Sequence, residues 1–182
     1  MNTKPESSLP DNEIHRTLAT ICRSSSFIYG EVWAPNELRT FLSLTAVNYT
    51  KLPLNIKYHP DYNYESELLN SIQQFSLCSQ EFIASRGEGL PGRIWLSKKP
   101  EWILDVTNHS EDYFLRHLIA KVFGVKTGFG LPVIFEDQVL RVLAFFSWEI
   151  LPRDNGVIAM ATGQAEALAN RLNQDSFKSN SQ

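Results

Sequence analysis

Apolar residues recur at helical spacing near both ends of the chain, with polar positions between them. Ile14, Leu18 and Ile21 predict an amphipathic helix over residues 12–24. A similar stripe predicts a last helix that ends at about Asn173; its apolar positions are Ala161, Ala165, Leu168 and Leu172. Two terminal helices therefore enclose the rest of the chain.

Runs of aromatic and β-branched residues between these helices predict a sheet. The strands are predicted at residues 27–34, 41–47, 81–84, 102–106, 127–135 and 138–148. Glu136 and Asp137 join the last two strands as a tight hairpin turn. Because the final strand is almost entirely apolar, we expect it in the sheet interior. Glu31 is the exception in the first strand, and a solvent-facing or capping position is favoured over a ligand contact.

Two inner helices are predicted at residues 65–76 and 111–123, the second ending at Gly124. The connection over residues 48–63 is long for a compact domain, which is typical of functional or mobile segments. The pattern of strands and helices does not distinguish between these two interpretations.

A glycine-rich corner, Gly87-Glu-Gly-Leu-Pro-Gly-Arg-Ile-Trp95, follows the third strand. It formally matches the dinucleotide-binding fingerprint G-x-G-x-x-G. We reject that match because Pro91 removes an N–H from the turn and Pro100 ends the following helix after about six residues. A strand that turns into a short helix is the better interpretation.

Composition restricts the classes of function. A chain of 182 residues with 43% hydrophobic content predicts one domain, which we place at residues 11–174 between disordered tails at 1–10 and 175–182. The net charge of −3 is spread along the chain and leaves no basic stripe for nucleic acid. No apolar run is long enough to cross a membrane, and the N-terminal residues lack a signal-peptide core. We expect a cytoplasmic protein that binds neither nucleic acid nor membrane, with Cys22 and Cys78 reduced.

Two kinds of chemistry have candidate residues in the sequence, metal binding and nucleophilic catalysis. Asp105, His109, Asp112 and His117 lie within thirteen residues, but their spacing does not imply convergence on a metal ion, and a polar helix start explains them better. For nucleophilic catalysis there is no G-x-S-x-G motif, and neither cysteine has a histidine at a suggestive distance. We expect no metal site and no enzyme.

Four segments in register resemble the GAF domain, a small-molecule sensing module of signalling proteins. They are the glycine-rich corner, Pro100-x-Trp-Ile-x-Asp105, Gly124-Val-Lys-Thr-Gly-Phe-Gly-Leu-Pro-Val133 and Val142-Leu-Ala-Phe-Phe-Ser147. The resemblance covers about residues 14–171. It implies an α+β, PAS-related fold: an antiparallel sheet of about five to six strands, with the N- and C-terminal helices on one face and a pocket on the other.

The same resemblance implies which residues wall the pocket. They are Trp102, Tyr113, Phe114, Arg116, His117 and Phe129. Arg116 suits an anionic ligand because its guanidinium pairs bidentately with carboxylates. The alternatives are ordinary core packing for the aromatic residues and a surface ion pair for Arg116. The sequence identifies neither ligand nor cofactor.

Known branches of the GAF family narrow the chemistry. The branch that reduces free methionine sulfoxide uses cysteines around the pocket, and residues 87–133 contain none. In the branch that attaches a tetrapyrrole covalently, Arg116 takes the place of the attachment cysteine, so only non-covalent binding near His117 stays open. The polar motif residues of cyclic-nucleotide-binding members are not found.

We therefore expect a non-enzymatic regulatory sensor that binds a small molecule and passes its state to a separate signalling protein through the terminal helices. The short chain after the last helix leaves no room for an output domain. In GAF proteins the terminal helices commonly form a homodimer, although packing of both on their own sheet is equally expected. The alternative function is a ligand-free interaction or dimerisation module.

Overall fold

The computed structural model describes residues 9–53, 56, 59–61 and 63–179. Its helices are α1 (Leu9–Arg23), α2 (Tyr64–Ser79), α3 (Gly89–Ser97), α4 (His117–Phe123) and α5 (Asn155–Ser179). Its strands are β1 (Tyr29–Pro35), β2 (Phe41–Thr50), β3 (Ile83–Ser85), β4 (Glu101–Ile103), β5 (Thr127–Phe135) and β6 (Gln138–Ser147). The fold class is α+β, as predicted. The tails predicted to be disordered are residues 1–10 and 175–182, of which 1–8 and 180–182 lie outside the described residues.

The six strands form one antiparallel sheet in the order β3-β2-β1-β6-β5-β4. The apolar strand β6 lies in the interior between β1 and β5, which confirms the prediction made from its composition. Glu136 and Asp137 form the β5–β6 turn, and both adopt positive φ angles of 45° and 66°. Positive φ at both central residues gives the turn a twist that matches the flanking strands.

Helices cover both faces of the sheet. On the terminal-helix face, α1 and α5 pack against residues such as Leu143 and Phe145 of β6. On the opposite face, which we call the α2–α4 face, Val142, Ala144 and Phe146 of the same strand pack below α2, α3 and α4. This division follows from the alternation of side chains along a strand. The placement of the terminal helices on one face is therefore confirmed.

Several helix boundaries differ from the prediction, and α2 ends at Ser79 instead of residue 76. Helix α4 begins at His117, not at residue 111, because Phe114 and Arg116 are both buried on the same face and residues two apart do not share a helix face. Helix α1 begins at Leu9, since a proline such as Pro10 is tolerated in the first turn. Helix α5 continues to Ser179, because neither glycine nor proline interrupts it after Asn173.

Candidate functional site

The glycine-rich corner binds its own backbone. The N–H of Gly87 donates to the carbonyl of Gly92 at 2.9 Å, and the N–H of Gly92 donates to Glu88 at 3.0 Å. A Cβ atom on Gly92 would overlap the carbonyl oxygen of Ser85. Because these N–H groups are already paired, the corner brings β3 and α3 together and does not form a phosphate cradle.

The centre of the α2–α4 face holds a buried ion pair. Arg116 donates from Nη2 to Oε1 of Glu31 at 2.7 Å and from Nη1 to Oε2 at 3.1 Å. The two side chains are 2% and 0% exposed. The prediction that Glu31 faces solvent was therefore wrong, and so was the surface ion pair considered as the alternative for Arg116, because the pair is buried.

Polar and aromatic neighbours complete the surroundings of this pair. Trp33 donates its indole N–H to Glu31 at 2.8 Å, and the hydroxyl of Ser79 accepts from Arg116 at 2.8 Å. The guanidinium also lies about 5 to 6 Å from the ring centroids of Trp33, Phe75, Phe114 and Phe146. Side chains of the protein itself therefore occupy the centre of the face where the sequence predicted a ligand.

The other predicted pocket residues do not converge on one site. Phe114 is buried beside Phe146 in the α2–α4 face. Tyr113 is 38% exposed, donates its hydroxyl to Glu101 at 3.1 Å and lies against the guanidinium of Arg93. His117 is half-buried, and its Nδ1 is the buried side-chain nitrogen for which the described residues offer no hydrogen-bond partner.

Trp102 and Phe129 lie on the terminal-helix face, opposite the other four. Both rings contact Phe27, with centroid distances of 5.1 and 5.7 Å, and the indole of Trp102 donates to the carbonyl of Leu151. The reason is local: glycines on either side of Phe129 occupy the α2–α4 face, and at Gly130 a Cβ would collide with Ile94 of α3. The Gly-Phe-Gly alternation was the signal that could have placed Phe129 correctly.

The polar segment considered for metal binding has structural roles. Asp105 accepts hydrogen bonds from the N–H and hydroxyl of Thr107 and from Asn108. His109 stacks on Tyr113 with a centroid distance of 4.3 Å. Within the part of the chain that the structure describes, no three His, Cys, Asp or Glu residues are grouped so that they could hold a metal ion.

Both cysteines are free thiols. Cys22 is fully buried in the terminal-helix face, and this burial raises its pKa from 9.0 to about 12. A thiol with so high a pKa is a poor nucleophile.

None of the helices formed by the described residues is long and apolar enough to cross a membrane.

A cavity of about 260 Å³ lies at one end of the α2–α4 face, and none of the six predicted residues lines it. Its walls come from the segment after α1, the end of β2, the start of α2 and the end of β6. The lining residues are Ser25, Ser26, Ile28, Lys51, Pro53, Tyr64, Leu68, Ser147, Trp148 and Glu149. Sequence reasoning missed this site because its residues come from four separate segments.

Lys51 connects the cavity to α1. Its ammonium donates to the carbonyls of Cys22 at 2.5 Å and of Ser25 at 2.8 Å, so it binds the carbonyl end of the helix. Partial burial lowers the pKa of Lys51 because it withdraws the charge from water. A positive charge is therefore fixed at the junction of the cavity and the first helix.

A second, more open cavity of about 480 Å³ lies between β2 and α2. Its floor includes Tyr29, whose hydroxyl donates to Ser76 at 2.9 Å, and its rim includes Leu69 and Leu77, which are 39% and 49% exposed. The residues that line it carry no formal charge, since burial raises the pKa of the Tyr29 phenol further above its ordinary value and keeps it neutral.

Comparison with known sequences gives partial matches. No family model matches the chain. The transcription factor bHLH13 of Arabidopsis thaliana is 32% identical over 94 residues, which cover 44% of this chain and 16% of that protein. The transcription factor MTB2 of Solanum lycopersicum is 35% identical over 72 residues, or 38% of this chain and 12% of that protein. The chain thus spans a small part of the curated relatives it matches.

Solved structures match nearly the whole chain. A GAF domain/HD domain protein from Geobacter sulfurreducens has a TM-score of 0.67 at 12% identity, covering 93% of this chain and 95% of that one. The GAF domain of an Acinetobacter phosphoenolpyruvate-protein phosphotransferase has a TM-score of 0.64 at 12% identity, covering 96% of this chain and 89% of that one. Free methionine-R-sulfoxide reductase from Neisseria meningitidis has a TM-score of 0.61 at 14% identity, covering 91% of this chain and 79% of that one.

Proposed function

Because this chain has the GAF fold, we propose that it is a non-enzymatic regulatory domain that binds a small molecule in the 260 Å³ cavity. The ligand changes the state of the terminal helices α1 and α5, and a separate signalling protein responds to that change. GAF folds commonly serve as small-molecule sensing regulatory domains.

The observation that carries the proposal is the connection of this cavity to both terminal helices. On one side, Lys51 lines the cavity and binds the last turn of α1. On the other side, Ser147, Trp148 and Glu149 line it and lead into α5. A ligand that contacts these residues more favourably in one arrangement of the helices shifts the population toward that arrangement.

The size and position of the cavity restrict the ligand. The pair of Glu31 and Arg116 fills the centre of the α2–α4 face. The proposed ligand site is therefore the cavity at the end of that face. A volume of about 260 Å³ is slightly below the roughly 300–1,000 Å³ of pockets for drug-sized ligands, which favours a small metabolite over a tetrapyrrole.

A regulatory role is favoured over catalysis by the chemistry of the described residues. The buried thiol of Cys22 is inert, Asp105 accepts hydrogen bonds within a turn, and His109 stacks on Tyr113. The two partial relatives are named as transcription factors, which are regulators, whereas the Neisseria neighbour is a reductase with the same fold. A reductase assay with free methionine sulfoxide therefore belongs in the test, and we expect no turnover.

Homodimer formation through the terminal helices is part of the proposal. Helices α1 and α5 already contact each other within the chain, where Glu13 accepts from Arg171 at 3.0 Å. Their outward sides stay available for a second copy or for the signalling partner. The two free thiols are compatible with the cytoplasm, where we place the protein.

The second candidate is an interaction module that binds no small molecule. The filled centre of the α2–α4 face favours it, as do the exposed apolar residues Leu118 and Val122 on α4, which are 60% and 75% exposed. Such residues on one helix side are typical of contact with another protein.

Thermal unfolding of the purified chain with a panel of small metabolites separates these candidates. We expect a ligand to raise the melting temperature of the wild type, and Ser26→Trp, at the cavity wall, to abolish the shift. Ser24→Trp is the matched control, because Ser24 is also exposed after α1 but does not line the cavity. If no metabolite stabilises the wild type and native mass spectrometry finds no bound molecule, the interaction module replaces the sensor.

A further inference from the structure

The 260 Å³ cavity holds a positive group with unused hydrogen-bonding capacity. A lysine ammonium has three N–H donors, and the carbonyls of Cys22 and Ser25 take two of those of Lys51. Among the residues that the structure describes, none accepts the third. A ligand with an anionic oxygen therefore has a donor available at this wall.

The same cavity holds a negative group. Glu149 lines it from the end of β6, is exposed, and forms an ion pair neither with Lys51 nor with any other described residue. The two opposite charges thus belong to the same cavity but are not neutralised by each other. This charge distribution is complementary to a molecule that carries both signs.

Other residues of the cavity wall are apolar. Ile28 and Leu68 belong to the core of the α2–α4 face, and the ring of Trp148 packs against that core. The Trp148 indole N–H already donates to the carbonyl of Phe123 at 2.7 Å, which orients the ring. This wall accommodates a hydrocarbon group.

We propose, on the basis of the function proposed above, that the ligand is a free α-amino acid with an apolar side chain. Its carboxylate binds the Lys51 ammonium, its ammonium binds the Glu149 carboxylate, and its side chain packs on Ile28, Leu68 and Trp148. A carboxylate or an amine alone satisfies one of the two charges. The desolvation that lowers the pKa of Lys51 also makes a carboxylate partner more favourable there.

The test compares each amino acid with two analogues that each lack one charge. Leucine is compared with isocaproate, which lacks the ammonium, and with isoamylamine, which lacks the carboxylate. Phenylalanine is compared with hydrocinnamate and phenethylamine in the same way. Isothermal titration calorimetry on the full chain should show the better amino acid binding about tenfold or more tightly than either analogue, since a hydrogen bond to a charged group is worth about that factor.

Two substitutions assign the charges to residues. Glu149→Gln should remove the preference for the amino acid over the carboxylic acid and leave the preference over the amine. Lys51→Met should do the opposite. Glu166→Gln, on the exposed side of α5, is the matched control and should change neither preference. Lys51→Gln, which removes the charge but keeps N–H donors for the carbonyls of Cys22 and Ser25, serves as a second variant if Lys51→Met does not fold.

The outcomes distinguish this inference from the proposed function. If the amino acids and their carboxylic acid analogues bind equally, or if only another metabolite stabilises the chain in a Ser26→Trp-sensitive way, the amino acid class is wrong and the sensor stands. If no metabolite at all binds, the amino acid proposal and the sensor proposal both fail. If the amino acid binds more tightly than its carboxylic acid analogue and Glu149→Gln does not change that preference, the assignment of the ligand ammonium to Glu149 is wrong.

Discussion

Both terminal nitrogens of Arg116 donate hydrogen bonds to the carboxylate of Glu31, which lies 85 residues earlier in the chain. Both side chains are almost fully buried. The attraction of a buried pair offsets the cost of withdrawing two charges from water only while both partners are present. The pair therefore determines how the centre of the α2–α4 face is packed.

Removing one partner of this pair should cost more than removing both. We expect Glu31→Ala to lower the free energy of unfolding by about 3–5 kcal/mol, because it leaves the Arg116 charge buried without a partner. The double variant Glu31→Met/Arg116→Met should recover much of that loss. Chemical denaturation measures all three proteins, and a double variant less stable than Glu31→Ala would contradict this account. Lys121→Ala, on the exposed side of α4, is the control and should change little.

Acetate should partly replace the deleted side chain. Glu31→Ala removes a CH₂–COO⁻ group next to the Arg116 guanidinium, and acetate has nearly the same shape and charge. We expect acetate to raise the melting temperature of Glu31→Ala more than that of the wild type, whereas chloride at equal ionic strength should not. The same small shift for both salts and both proteins would mean that the surrounding aromatic rings close over the gap.

The glycine-rich corner should not accept a side chain. Gly92→Ala should destabilise the protein by about 1–3 kcal/mol, because its Cβ overlaps the backbone of Ser85 and the strand must shift. Gly163→Ala is a matched control in α5, where nothing lies within 4 Å of the added atom, and it should stabilise the helix by about 0.5–1 kcal/mol. Urea titration of both variants compares them, and equal effects would refute the close packing of α3 on β3.

The buried thiol of Cys22 should produce a pH-dependent loss of stability. Its pKa is raised from 9.0 to about 12, so the folded protein keeps a proton that the unfolded chain loses above pH 9.0. The unfolded state then binds fewer protons, and the contribution of Cys22 to stability, complete below pH 9.0, falls as the pH rises toward 12. Stability measured between pH 8 and pH 10.5 should fall less steeply in Cys22→Ala than in the wild type.

Thiol labelling provides an independent check. In the native protein a thiol reagent should modify the half-buried Cys78 first and Cys22 only on unfolding. Cys78→Ala should therefore show no rapid phase of labelling. Rapid modification of Cys22 in the native state would contradict its burial in the terminal-helix face.

The sequence predicted the features that depend on neighbouring residues. The apolar run of β6 indicated its interior position, and the left-handed residue Gly124, with φ of 76°, ends α4 as expected. The hairpin at Glu136 was predicted from its neighbours in the same way. These features follow from local backbone preference and from the alternation of polar and apolar positions.

Features that depend on distant residues were not predictable from these patterns. Nothing near Glu31 or Arg116 indicates that each is the partner of the other. The candidate cavity was not predictable for the same reason. Its residues Ser26, Lys51 and Glu149 come together only when β1, β2 and β6 are aligned side by side. Trp102 and Phe129 were assigned to a pocket through the family resemblance, while the strand alternation places them on the other side of the sheet.

The attachment of Lys51 to the last turn of α1 has a practical consequence for engineering. An anionic ligand that binds the third N–H of this ammonium would share the group with the carbonyls at the end of the first helix. A fluorescent protein fused upstream of α1 would then report occupancy as a change in fluorescence. The domain is in this way a starting scaffold for a genetically encoded biosensor.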